Sequence, residues 1–182
     1  MNGIDLLIQE HTYVMRMLAI MRKASYKFME TNEIDYDDFD KMISFVRTFA
    51  DGHHHKKEEI YLFNKMVEHL GELGKKVITN GMLVEHDLGR AHIGRLNDAL
   101  IAYKNGDKEA KLDIIGNIVG YCTLLKSHIE KEDNVIFGFA RRSLDAEILN
   151  IVDEECTKYE VENAETLKEN MNVLTYLEEK YL

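Results

Sequence analysis

Apolar residues recur every three or four positions along most of this chain, and short polar or glycine-containing breaks divide the pattern into long helical runs. The first predicted helix runs from about Ile4 to Met29, with the seam Ile4, Leu7, His11, Val14, Leu18 and Met21. The break from Thr31 to Asp35 is acidic, as the first turn of a following helix should be. A second helix is expected from about Tyr36 to His69, with Phe39, Ile43, Val46, Ala50, His54, Glu58 and Tyr61 on one face, ended by Gly71 and Gly74. The third carries Ile78, Met82, His86, Gly89, Ile93, Leu96, Leu100 and Tyr103, and Asn105-Gly106 stops it. The fourth follows through Ile114, Ile118, Tyr121, Leu125, His128, Glu132, Val135 and Phe139. After Arg141-Arg142, Ser143 is placed to cap one or two further amphipathic helices through Ile148, Val152, Leu167, Met171, Leu174 and Leu177.

Long helices with short connections predict an all-α fold, an up-down-up-down four-helix bundle with additional C-terminal helical structure. Residues 1–142 are read as the bundle and 143–182 as an extension packed on it. A coiled-coil filament is disfavoured because the breaks are too frequent. Gly116-x3-Gly120 would let another helix approach the fourth closely, either an internal neighbour or a second subunit, so monomer and dimer both remain open.

Composition supports the helical reading: the chain has no proline or tryptophan, and 45% of its residues are hydrophobic. A formal net charge of -10 opposes nucleic-acid binding and attraction to anionic membranes. Two cysteines, Cys122 and Cys156, are too few for a disulfide scaffold. No run approaches the roughly 20 apolar residues of a membrane span, and the first residues lack a signal-peptide core, so a cytoplasmic location is expected.

Candidate chemistry lies at the polar positions embedded in the seams. The second helix reads His54-x3-Glu58-x4-Phe63 and the fourth His128-x3-Glu132-x4-Phe137, an internal repeat. Residues four apart stand on one helix face, so each pair can present an imidazole and a carboxylate to one point. The first and third helices echo each other through Glu10-His11 and Glu85-His86. His11 to His54 and His86 to His128 span almost equal lengths of chain, so two similar hairpins can meet in pseudo-twofold symmetry around a dinuclear site. Imidazole suits iron, a carboxylate can bridge two cations, and buried glutamates without a counter-charge would be costly. Within His53-His54-His55, helical counting puts His54 below Ala50 and Val46, leaves His53 as a supporting group, and places His55 on a polar face with Asp51. His69 and His92 are likewise expected to be exposed.

The segments His54-His55-Lys56-Lys57-Glu58-Glu59 and His128-x3-Glu132, with His11 and His86 upstream, are similar to the hemerythrin-like (HHE cation-binding) family over residues 4 to 139. The resemblance implies two iron ions in a four-helix bundle, bridged by the Glu58 and Glu132 carboxylates and an oxo or hydroxo group. His11 and His54 would serve one iron, His86 and His128 the other. Oxygen-carrying members have a further histidine one turn after the third-helix ligand, where this chain has Arg90, and they end in His-x4-Asp rather than His-x3-Glu. One coordination position is therefore expected to be left for water, a substrate or another side chain, with Tyr121 a weak candidate. These differences shift the expectation from oxygen transport to reaction with O2, peroxide or nitric oxide, using an unidentified electron donor. An oxygen or iron sensor is the alternative, with iron storage weaker and a metal-free structural bundle the bland reading. Ferritin-like Glu-x2-His pairs, zinc-protease motifs and phosphate loops are absent from the sequence.

Overall fold

The computed structural model describes residues 2–182, and six helices carry nearly all of them. Helix α1 is Gly3–Thr31. Asn2 caps it by accepting the Asp5 N–H at 2.8 Å, and Asn32 closes it in the left-handed region, φ 59°. Helix α2, residues 36–69, changes its winding along its length. Tyr36–Phe45 is α-helical, Val46–His55 and Glu58–Phe63 are π-helical, and Asn64–His69 is α-helical again. Helix α3, residues 71–104, has a π-helical stretch at Ile78–Met82, and α4, residues 110–143, has one at Glu132–Ile136. Helices α5, Ala146–Glu162, and α6, Ala164–Tyr181, complete the chain. No strand occurs among the described residues.

The π-helical stretches move side chains relative to α-helical counting. Their hydrogen bonds reach five residues back, so each turn holds an extra fraction of a residue. Along α4 the expected seam positions Val135 and Phe139 give way to Ile136, Phe137 and Ala140, which are buried while Val135 is exposed. Along α2, Leu62 and Phe63 take the core position expected of Tyr61. Both repeats place a phenylalanine five residues after the glutamate, which is the π-helical step. Phe63 and Phe137 are each only 1% exposed.

Two boundaries also differ from expectation. Gly71, φ +59°, does separate α2 from α3, but Gly74 lies inside α3. A Cβ there would stand 2.3 Å from the Met66 carbonyl oxygen, so Gly74 permits the close return of the chain. Ser143 ends α4 rather than capping the next helix; Leu144 turns extended to bury its side chain, and Asp145 takes the N-cap position. At Gly120, a Cβ would meet the His92 ring at 2.6 Å, so the close neighbour of that glycine is α3 of the same chain.

A polar layer divides the core into two apolar clusters. Ile4, Leu7, Phe63, Met66, Met82, Ile136 and Phe137 lie in one. Val14, Phe49, Ala50, Ile93, Leu96, Ile118 and Leu125 belong to the other. Each of α1 to α4 crosses from one cluster to the other, and the seam histidines and glutamates occupy the crossing. Helices α5 and α6 pack against α1 and α2. Leu174 and Leu177, both fully buried, join the larger cluster, each worth roughly 1.5–3 kcal/mol of burial. Buried Asp38 on α2 accepts hydrogen bonds from Tyr181 Oη at 2.8 Å and pairs with Lys180 at 2.5 Å, fixing the end of α6.

Candidate metal centre

His11 on α1, His54 and Glu58 on α2, His86 on α3 and His128 and Glu132 on α4 meet in the polar layer, each no more than 2% exposed. The two carboxylates stand between the rings. His11 Nε2 is 3.2 Å from Glu132 Oε2 and 3.7 Å from Glu58 Oε1. His54 Nε2 lies 3.5 Å from Glu58 Oε1, and His128 Nε2 lies 3.1 Å from Glu132 Oε1. His86 Nε2 approaches both, at 3.7 Å from Glu58 and 3.9 Å from Glu132.

What surrounds the rings decides which nitrogen faces inward. Each Nδ1 meets a carboxylate: His11 with Asp133 at 2.8 Å, His54 with Glu10 at 2.9 Å, His86 with Glu59 at 2.7 Å and His128 with Glu85 at 2.9 Å. A carboxylate only accepts, so each Nδ1 donates, and in the neutral ring Nε2 then offers its lone pair to the centre. The pairing is itself pseudo-twofold. Glu10 and Glu85, each preceding a ligand-candidate histidine, reach across to His54 and His128. Glu59 and Asp133, each following a central glutamate, hold His86 and His11. Sequence reasoning registered Glu10 and Glu85 only as echoes and passed over Glu59 and Asp133. The dipeptides Glu58-Glu59 and Glu132-Asp133 were the available signal.

The donor set fits a metal. Both oxygens of Glu58 and of Glu132 are buried without a hydrogen bond among the described residues, as is His11 Nε2. The Nε2 atoms of His86 and His128 face each other at 3.0 Å, where two lone pairs repel unless a proton or cation stands between them. Without a metal, protons take that role. Burial pulls the His128 imidazole down, but Glu132, Glu58 and Glu85 outweigh it and push its pKa up to about 9. His11 is likewise raised well above the ordinary histidine range, by Asp133, Glu132 and Glu58 against the opposing effect of burial.

The structure adds one residue to those singled out from the pattern. His55, expected on a polar face, is 5% exposed, and its ring stacks on His86 with centroids 3.8 Å apart. The π-helical winding of Val46–His55 is the reason. Between four and five residues fill a turn, so His54 and His55 both come to stand beneath Ala50. Gly52 makes room for that winding, since a Cβ would stand 2.9 Å from the Arg47 carbonyl oxygen. Donor atoms of His55, His86 and His128 come within 4.8 Å of one another, and those of His11, His54, Glu58 and Glu132 form a second such group.

The remaining histidines lie elsewhere. His53 is buried and turned toward Glu10 and Glu160, at 3.3 and 2.8 Å. His69 is exposed as expected, whereas His92 is half-buried beside Asn117 at 3.1 Å. Arg90 points away from the centre to Asp51, Asp87 and Glu59, so it secures the carboxylate behind His86. Tyr121 is buried on the same side, its hydroxyl without a partner among the described residues.

No curated protein and no solved structure matches the chain. The family model for the hemerythrin HHE cation binding domain matches residues 2–140, which include every residue of the centre. With clustered imidazoles and carboxylates that can hold a cation, the chain belongs to the hemerythrin HHE cation-binding family.

Proposed function

We propose that this protein holds a non-heme di-iron centre that binds and reacts with O2, peroxide or nitric oxide, in scavenging or in protecting iron centres. The observation that carries the reading is the pair of buried glutamates with no hydrogen-bond partner among the described residues, ringed by inward-facing imidazole nitrogens. In this reading His11 and His54 would hold one ion, His55, His86 and His128 the other, and Glu58 and Glu132 would serve both. Iron would supply electron exchange with a small oxidant.

The chain's own residues do the rest. Glu10, Glu59, Glu85 and Asp133 orient the rings, and the two apolar clusters keep bulk water from the centre. A cavity of about 300 Å³, lined by Val46, Arg47, Asp51, His55, His86 and Tyr121, offers a small molecule a way in, with part-exposed Arg90 at its rim. The residues belong, in this account, to an up-down-up-down four-helix bundle over 1–142 with 143–182 as an extension, in a cytoplasmic protein that is a monomer or dimer and draws electrons from an external donor. No helix among the described residues is long and apolar enough to cross a membrane.

His55 offers one half of the centre a third imidazole. The imidazole that the third helix lacks at Arg90 is offered from α2, so in this reading the ion with fewer nitrogen donors, and with it the open position, would be that of His11 and His54. The third imidazole also favours a second reading, reversible oxygen binding or sensing. Stopped-flow mixing of the reduced, iron-loaded protein with O2, peroxide and nitric oxide separates the two. Turnover of any oxidant supports the first reading, and a stable oxygen adduct that reverses on removal of oxygen supports the second. No response to any of the three sinks both.

A further inference from the structure

The two halves of the centre are backed by matching sets of side chains. Lys57 and Lys131, each the residue before a central glutamate, bond to Glu10 and Glu85, the carboxylates that hold His54 and His128. Their surroundings differ. The Lys131 side chain is 44% exposed, whereas Lys57 is fully buried.

Helix α5 makes the difference. Glu160 accepts a hydrogen bond from Lys57 Nζ, and its Oε1 lies 2.8 Å from His53 Nε2, which stands 3.3 Å from Glu10 Oε1. Tyr159 packs beside the His53 ring at 5.3 Å and donates its hydroxyl to the Gly52 carbonyl at 3.0 Å. Glu10, His53 and Glu160 have the donor types of a second cation site, but the Lys57 ammonium already bonds both carboxylates. The cluster is therefore a closed relay running Glu160, Lys57 and His53, Glu10, His54.

We propose that Glu160 is a positioning residue for His54, through which the C-terminal helices set the metal affinity of the His11 and His54 half and make it unlike the other half. Lys57 has two anionic partners, and Glu160 fixes where its ammonium sits. With Glu160 gone, Lys57 and His53 lean on Glu10 alone, and the carboxylate that aims His54 is free to shift. Losing the orienting partner of a metal-binding histidine typically weakens metal binding about 10- to 100-fold. Glu160 lies outside the stretch that matches the family model, whereas Glu10, His53, His54 and Lys57 lie inside it.

The inference rests on the metal-centre reading, and titration of the full metal-free chain with cobalt(II), followed by visible absorption, tests the two separately. Wild-type protein is expected to take up two ions. Glu160→Gln should weaken one binding step about tenfold and shift the spectrum of that step alone, the step that His11→Ala removes. Glu160→Asp, which keeps the charge, should lose less, and it carries the test if Glu160→Gln does not fold. Lys131→Gln, at the exposed counterpart, should change affinity less than Glu160→Gln. Unchanged affinities and spectra in a folded Glu160 variant, or equal weakening of both steps, would overturn the role of Glu160. A wild-type chain that takes up no cobalt overturns the metal-centre reading, and this inference with it.

Discussion

The rings of His55 and His86 lie 3.8 Å apart and 7° from parallel, joining α2 to α3 at the edge of the candidate metal centre. Burial, His86 and the other nearby imidazoles hold the His55 pKa well below the ordinary histidine range, opposed by Asp51, so the ring is neutral and able to donate a lone pair. His55→Ala should therefore lower metal content, with at least a tenfold loss of affinity for one ion, as for a metal ligand or its close support. His69→Ala, at an exposed ring, should leave the metal content unchanged. Metal analysis of both variants checks this, and equal metal content in His55→Ala and wild type would remove His55 from the centre.

Gly52 is the point at which backbone winding controls the site. In Gly52→Ala the new methyl meets the Arg47 carbonyl, and the π-helical stretch must open or revert. Overpacking of this kind costs about 1–3 kcal/mol. Reversion also turns His55 outward, so thermal unfolding temperature and metal content should fall together. A variant that loses stability but keeps full metal content would separate the winding from the site.

Proton competition gives metal binding a defined pH dependence. In the metal-free protein His11 and His128 both carry raised pKa values, that of His128 at about 9, so both hold protons at neutral pH. Metal must displace them, and apparent affinity should rise as pH climbs from about 6.5 toward 9 and level off above. Stability of the metal-free form runs the other way. A group whose folded pKa exceeds its unfolded value of 6.5 contributes fully below 6.5, and its contribution is lost as pH rises through about 9. Thermal unfolding of the metal-free protein across that window should show a falling midpoint, and metal-competition titrations a rising affinity.

At the far end of α6, Tyr181 donates to buried Asp38 without touching the centre. Tyr181→Phe should cost about 0.5–1.5 kcal/mol, the usual worth of one hydrogen bond, or somewhat more because the acceptor is charged. Its metal content and cobalt spectrum should match wild type. That combination separates the stabilising role of the C-terminal helices from the relay through Glu160, and a shifted cobalt spectrum would show that the two are not independent.

Helix positions and most of the site were legible in the sequence because both rest on local rules. An apolar period of three to four residues places a helix face, and His-x3-Glu puts an imidazole and a carboxylate on that face wherever the helix goes. The repeat at His54 and His128, with His11 and His86 at matched distances, thus identified six side chains that the fold brings together. It also carried the family, through motifs confined to short segments.

What depended on tertiary structure was the phase of those helices and what stands behind the candidate ligands. α-Helical counting does not announce that residues 46–55 and 132–136 wind as π-helices; the first stretch turns His55 inward on α2, and the second moves the buried face of α4 from Val135 to Ile136. The carboxylates that aim the rings come from other helices, so the dipeptides Glu58-Glu59 and Glu132-Asp133 mark Glu59 and Asp133 in the sequence but do not say that they meet His86 and His11. Glu160 is the extreme case. It lies more than 100 residues from Lys57, and only the docking of α5 makes it a neighbour of the centre.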